Sequence, residues 1–411
     1  MISNLSNDYF GYKRGHDTPD SPRMRYTVHP LASDSRTLLT GLAILSAIGL
    51  GIMAFFIVER GWLAAAFALA GKIVKSAFVV VVALLASASA VAQVVLNASS
   101  SAPPGHPITA AMLVPFCADI EKVTSARVRC NVLPKAPVGA VQTFDGVKDG
   151  LMDLSFITHG YTPGRFALTD APEFPFMGDT AEITAVAYER IHSRMLARAN
   201  EHRDVVLLSV FTHGPGQIYN TKRAVTTLRD LEGMKIRVGS GLMSDIVRNL
   251  GGVPMLKPAP ESYELLSSGV ADGVFFPKDS PWSFKLVPLI KHVTYVPGGL
   301  YNVSFGWVAN PERWSRISAA DRKAIEPLLG EALARRSGRA WDAADARGEA
   351  AVREAGIPVV VAGSQFIAEI KARAGPLEKN WIENKAKPKG VDGEAVLKAL
   401  RAEIAALQKR K

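Results

Sequence analysis

The chain is poor in cysteine, has no block of like charge, and lacks the short motifs of the common chemistries. Cys117 and Cys130 are the only cysteines among 411 residues. This excludes a disulfide-dense scaffold and a four-thiolate zinc site. No HExxH, paired CxxC, GxSxG elbow or strand-linked GxGxxG occurs, so the usual zinc, serine-nucleophile and dinucleotide signatures are missing. The eight histidines are dispersed, with no pair at metal-ligand spacing on one helix, and neither metal nor cofactor is expected. Net charge is +10, but the basic residues are scattered, which argues against a nucleic-acid partner. Apolar residues make up 48%. That excludes a disordered chain, and the length suits two domains with a real core.

The apolar excess is concentrated before residue 96. Leu38–Val58 is an uncharged run of 21 residues, preceded by Lys13, Arg14, Arg23, Arg25 and Arg36. It is long enough to span a bilayer. A second signal comes after it. Lys72 and Lys75 precede an apolar run, and Ala90-Val91-Ala92-Gln93 offers a small-x-small cleavage site. The order of charged, apolar and small residues is that of a signal peptide at 74–92, cleaved after Ala92. Residues 1–73 then form an extension upstream of a start at Val74. The rival reading is a membrane anchor at 38–58 holding a ligand-sensing ectodomain. Both readings export the chain from Gln93 onward, to the periplasm in the first. In that oxidising setting Cys117, on an expected helix, and Cys130, on the next strand, suit either a disulfide or two small buried thiols.

Beyond residue 93, short strands alternate with helices, the pattern of α/β layering. Strands are expected at 94–98, 127–133, 154–157, 205–211, 235–238, 254–257, 273–276 and 301–309. Helices are expected at 108–123, 138–148, 181–199, 242–250, 261–268, 364–374 and 392–408, and one over most of 318–355, bent at Pro327 and Gly338. An internal echo stands out. Asp149-Gly150-Leu151-Met152-Asp153-Leu154-Ser155-Phe156 parallels Ser268-Gly269-Val270-Ala271-Asp272-Gly273-Val274-Phe275. Each is a helix end, a glycine suited to positive φ, an aspartate and a strand. Two such units point to two similar lobes.

Arg237 is the leading functional candidate. It lies in an expected strand between Ile236 and Val238, before the turn Gly239-Ser240-Gly241. A guanidinium in such a strand needs a partner. A cleft carboxylate held by two parallel hydrogen bonds is one solution; an internal Asp or Glu is the other. His213-Gly214-Pro215-Gly216 resembles an esterase oxyanion loop, which keeps a periplasmic hydrolase as a minor alternative.

The segments 211–217 (FTHGPGQ), 230–238 (DLEGMKIRV) and 269–273 (GVADG) resemble the substrate-binding proteins of TRAP (tripartite ATP-independent periplasmic) transporters, of the dicarboxylate-binding type. Residues 104–107 (PGHP), 161–166 (YTPGRF) and 297–301 (PGGLY) add to the likeness, which runs from about residue 93 to 360. The resemblance implies a bilobal periplasmic-binding-protein-like α/β fold, with crossing strands and a long helix spanning both lobes. Lobe I is expected at 93–214 plus 303–342, and lobe II at 215–302 plus 343–411. It implies a non-enzymatic, monomeric receptor that captures a small organic carboxylate between the lobes and passes it to TRAP permease subunits driven by an ion gradient. The ligand arginine of the family matches Arg237. Sialic-acid-binding members carry a second arginine where this chain has Gln217, and an asparagine where it has Phe276. One cation and more aromatic surface favour a monocarboxylate with an apolar or aromatic body. Walls are expected from Phe275, Phe276, Trp282, Tyr301, Phe305 and Trp307, with a neutral hydrogen bond from Gln217. His159, Ser99 and Ser101 are expected to line the opposite lobe.

Overall fold

The computed structural model describes residues 44, 47–55, 58, 59 and 93–409. The chain divides into two units, residues 1–91 and 92–411. In the first, the described residues are helical, and among the described residues no helix is long and apolar enough to cross a membrane. Ten of the 21 residues of 38–58 and all of the expected signal peptide at 74–92, including its cleavage site at Ala92, lie outside the described residues.

The second unit holds two mixed sheets. The first contains β1 (Val94–Ser99), β2 (Val128–Val132), β3 (Leu154–Thr158), β4 (Val206–Thr212) and β10 (Ser304–Ala309), in the order β2-β1-β3-β10-β4. The second contains β5 (Gln217–Asn220), β6 (Lys235–Val238), β7 (Val253–Leu256), β8 (Gly273–Phe276), β9 (His292–Tyr295) and β11 (Val359–Val361), in the order β11-β9-β5-β8-β6-β7. The chain leaves the first sheet after β4, builds most of the second, and returns as β10, antiparallel between β3 and β4. Each sheet carries its own helices, so the unit is bilobal α/β as expected.

The sequence echo has a shared physical basis. Gly150 and Gly269 both close helices at positive φ, +76° and +71°, which suits glycine. Three residues later, an aspartate pins the neighbouring strand. Asp153 Oδ2 accepts from the Asn97 N–H of β1 at 2.8 Å, and Asp272 Oδ2 accepts from the Lys235 N–H of β6 at 2.9 Å.

Cys117, on helix α1 (Val114–Val123), and Cys130, on β2, are joined as a disulfide with Cα atoms 5.5 Å apart. Helix α2 (Ala181–Ile191) begins the expected 181–199 segment, which then widens into a π turn at His192–Leu196. The expected helix over 318–355 is broken: its main part is α3 (Glu331–Glu354), starting after Gly330 at φ +56°. Gly330 is tied to β4, donating from its N–H to the Leu208 carbonyl at 2.8 Å and accepting from Ser209 Oγ at 2.9 Å.

Helix α3 reaches both lobes because small residues mark its crossings. A Cβ on Gly338 would lie 2.4 Å from Glu182 Cα of α2, and one on Gly348 would lie 2.0 Å from the Lys278 carbonyl oxygen of the second lobe. Between them Asp342 caps α2, accepting from the Ala181 and Glu182 N–H groups at 2.6 and 3.1 Å. The expected lobe boundary at 343 therefore cuts through a continuous helix. The last helix also departs from the expected assignment to lobe II. This helix, α4 (Gly393–Gln408), packs on α2 of the first lobe, where Arg190 Nη1 meets Glu403 at 2.7 Å.

Candidate functional site

A cavity lies between the two sheets, its lining drawn from both. Arg237 enters it from β6 and is only 2% exposed. Its Nε donates to the Lys257 carbonyl at 2.8 Å, and Nη2 makes a long contact, 3.4 Å, to the Tyr161 hydroxyl. The guanidinium sits 4.5 Å from the centroid of Phe276. Among the described residues no carboxylate pairs with it. The charge is thus buried and oriented, with N–H groups to spare, which is the state in which an external acid would gain most from binding.

Tyr161 strengthens this corner. It comes from the loop after β3, and its oxygen also accepts from the Ala259 N–H at 2.8 Å. With two donors already facing that oxygen, its own O–H is free to point into the cavity.

The walls are aromatic. Phe276 stacks on Phe284 with centroids 5.6 Å apart, and Phe305 on Trp341 at 5.3 Å. Phe156 and Tyr301 complete the lining. Trp341 is anchored by its Nε1–H on Asp279 Oδ1 at 3.0 Å.

Two further histidines line the cavity, both held uncharged by burial, each pushed down to about 3. His106 accepts the Ile108 N–H on Nδ1 at 3.2 Å, and its Nε2 lies 3.8 Å from Asp279 Oδ2. Burial raises Asp279 to about 6. His213 lies with Nδ1 2.5 Å from the Gly214 carbonyl oxygen. Among the described residues no serine or cysteine is hydrogen-bonded to its ring, so the nucleophile that a hydrolase reading requires is not placed there.

The lobes also touch beside the cavity. Ser240 Oγ, from the turn after β6, donates to Glu173 Oε2 at 2.6 Å, while Glu173 Oε1 accepts the Ser304 N–H of β10 at 2.9 Å. Burial lifts Glu173 to about 8. Gly160 lies so close that a Cβ there would sit 2.2 Å from Ser240 Cβ.

Of the expected site residues, Arg237, Phe276, Tyr301, Ser101 and the wall residue Phe305 line the cavity. The others are placed elsewhere. Gln217 directs its amide to backbone: Oε1 accepts from the Val296 N–H at 2.6 Å and Nε2 donates to the Pro215 carbonyl at 3.1 Å. His159 turns into the first lobe, with Nδ1 2.7 Å from Ser304 Oγ and Nε2 2.8 Å from His202 Nε2. Ser99 is the fully buried last residue of β1, its carbonyl accepting from Ser155 Oγ at 2.8 Å. Trp282 is 42% exposed beneath Arg347. Phe275, on the opposite face of β8 from Phe276, and Trp307 belong to the core. Sequence reasoning missed Tyr161, His106, His213, Phe284 and Trp341 as lining groups. The first three stand in segments quoted for the family likeness; Phe284 and Trp341 carry no sequence signal that separates them from core.

Residues 98–385 match the family model described as bacterial extracellular solute-binding protein, family 7. A TRAP periplasmic solute-binding protein from Bordetella bronchiseptica, solved with bound (R)- and (S)-mandelate, is 42% identical. Its match covers 76% of this chain and 99% of that one, with a TM-score of 0.74. A TRAP solute-binding protein from Rhodoferax ferrireducens, in complex with copurified benzoate, is 27% identical over 77% of this chain and 99% of that one, TM-score 0.73. Among curated proteins, the outer membrane transporter protein TsaT of Comamonas testosteroni is 30% identical over 74% of this chain and 89% of its own length. The two-sheet architecture, the interlobe cavity and these matches agree: the chain belongs to family 7 of the bacterial extracellular solute-binding proteins, the carboxylate-capturing receptors of TRAP transporters.

Proposed function

We propose that this protein binds an aromatic monocarboxylate in the interlobe cavity, with the carboxylate held by Arg237 and Tyr161, and releases it unchanged to TRAP membrane subunits. The observation that carries the reading is the buried, acid-free guanidinium of Arg237 facing rings from both lobes. Among the described residues it is the only Lys or Arg lining the cavity. His106 and His213 are uncharged, so a second carboxylate would be buried without a counter-charge, at a cost of several kcal/mol. Phe276, Phe284, Phe305 and Trp341 suit a planar ring. The mandelate and benzoate complexes of the two related proteins agree with this class. Export through the 74–92 signal, with cleavage after Ala92, would place the receptor in the periplasm.

A bound ligand that spans the cavity favours the closed arrangement by its differential affinity for it. The test is a thermal-shift and calorimetric screen of benzoate and mandelate against succinate and other dicarboxylates. An aromatic acid at a hundred times its dissociation constant should stabilise the fold by about 2.7 kcal/mol. Preference for succinate, or no shift with any acid, overturns the reading.

A further inference from the structure

One atom in the cavity has a requirement that a carboxylate on a plain ring does not meet. Nδ1 of His213 lies 2.5 Å from the Gly214 carbonyl oxygen, which can only accept, so Nδ1 carries the ring proton. The ring is held uncharged by burial. Nε2 is therefore a lone pair, and among the described residues no N–H or O–H donates to it. The ring is 4% exposed and packed edge-on to Tyr301 at 5.3 Å, with Phe305 and Trp341 at 5.9 and 5.7 Å. All three neighbours wall the same cavity.

A carboxylate offers only acceptors, and an unsubstituted ring offers nothing, so either would bury this lone pair unpaired. The penalty for an unmatched buried acceptor is felt in affinity. His106 stands in the complementary state. Its Nδ1 accepts from Ile108, so Nε2 carries the proton, and Asp279 Oδ2 at 3.8 Å is too far to take it fully. With donors at Arg237 and His106 and a lone pair at His213, a hydroxyl, which both gives and takes, fits better than an ammonium, which only gives.

We propose that the ligand is an aromatic hydroxy acid whose hydroxyl donates to Nε2 of His213, making His213 the residue that separates hydroxylated from plain aromatic acids. This rests on the carboxylate reading above, with Arg237 holding the other end.

The test uses ligand pairs differing by one hydroxyl: mandelate against phenylacetate, and 3- and 4-hydroxybenzoate against benzoate. Calorimetry on the unmodified protein should show at least one hydroxylated member binding about tenfold tighter or better. His213→Phe, which removes the acceptor that a plain acid leaves unmatched, should bring that ratio close to one, and His213→Gln, which restores an acceptor, should recover part of it. If the plain and hydroxylated acids bind within twofold of each other in every pair, the lone pair is met by water and the hydroxyl proposal falls while the carboxylate reading stands. A ratio that survives in His213→Phe moves the hydroxyl's partner elsewhere and also overturns it. Binding of none of these acids removes both. Should His213→Phe fail to fold, the ratios in the unmodified protein and in His213→Gln decide.

Discussion

Two groups of buried polar side chains share the same unit of this protein but differ in how they are satisfied. In the first lobe, His159 faces Ser304 on one side and His202 on the other, Glu189 accepts from the Val210 N–H and Ser209, and Ser304 also meets Tyr188. In the interlobe cavity, Arg237 has no acid, His213 no donor and His106 no close acceptor among the described residues. Both groups carry a similar desolvation cost. The first offsets it from within the chain; the second is left to offset it with something outside. Burial alone therefore does not mark a site; an unmet hydrogen-bonding capacity in a cavity does.

The comparison breaks most visibly at Arg237. Arg237→Ala removes a charge-assisted, bidentate contact and should weaken aromatic-acid binding about a hundredfold, near 3 kcal/mol, by calorimetry. Its melting temperature should change little, because the guanidinium makes one short hydrogen bond to protein. An unchanged dissociation constant would mean that the open cation is not the anchor. The opposite behaviour is expected on the satisfied side. His159→Leu leaves His202 and Ser304 short of a partner and should cost about 2 kcal/mol in denaturant unfolding, with ligand affinity unaltered. A binding defect in that variant would erase the distinction.

Acid sharpens it further. His106, His202 and His213 are held near 3 by burial, against about 6.5 in an unfolded chain. Between those values the unfolded chain binds protons that the folded protein refuses, so their effect is absent above about pH 6.5 and destabilising as pH falls toward 3. Each contributes a slope of about 1.4 kcal/mol per pH unit. Glu173, raised to about 8, and Asp279, raised to about 6, act in the other sense. Their folded forms keep protons that the unfolded chain sheds above about pH 4, so their contribution grows as pH falls to that point and is then constant. Scanning calorimetry should therefore find the steepest loss of stability below about pH 4.5, and His202→Phe should make it shallower by one histidine's share. The smallest effect is expected at Trp282: Trp282→Ala, at an exposed ring outside the cavity, should change stability by no more than about 0.5 kcal/mol and leave affinity untouched.

How much is legible in the sequence depends on the range of the forces involved. The glycine-aspartate echo is readable because positive φ and the pinning of an adjacent strand are local demands, and both copies make the same contact. Arg237 is readable because a cation between Ile236 and Val238 is out of place in a buried strand. The strands Gln217–Asn220 and His292–Tyr295 escape sequence reasoning, since each mixes polar with apolar residues (QIYN and HVTY) and exists by pairing with distant segments. Residue type suggests Gln217 and His159 for the ligand, yet partners 79 and 145 residues away turn them from the cavity. Trp341 is unreadable for a related reason: only the crossing of a long helix over both lobes brings it to the cavity.

At Gly160 and Ser240 the lobes approach through almost bare main chain, with no room for a methyl group. That seam acts as a dimensional stop. A single added carbon would wedge the jaws apart, so the spacing of the two sheets at this seam, and with it the depth to which the cavity is enclosed, is bounded by the smallest side chain in the molecule.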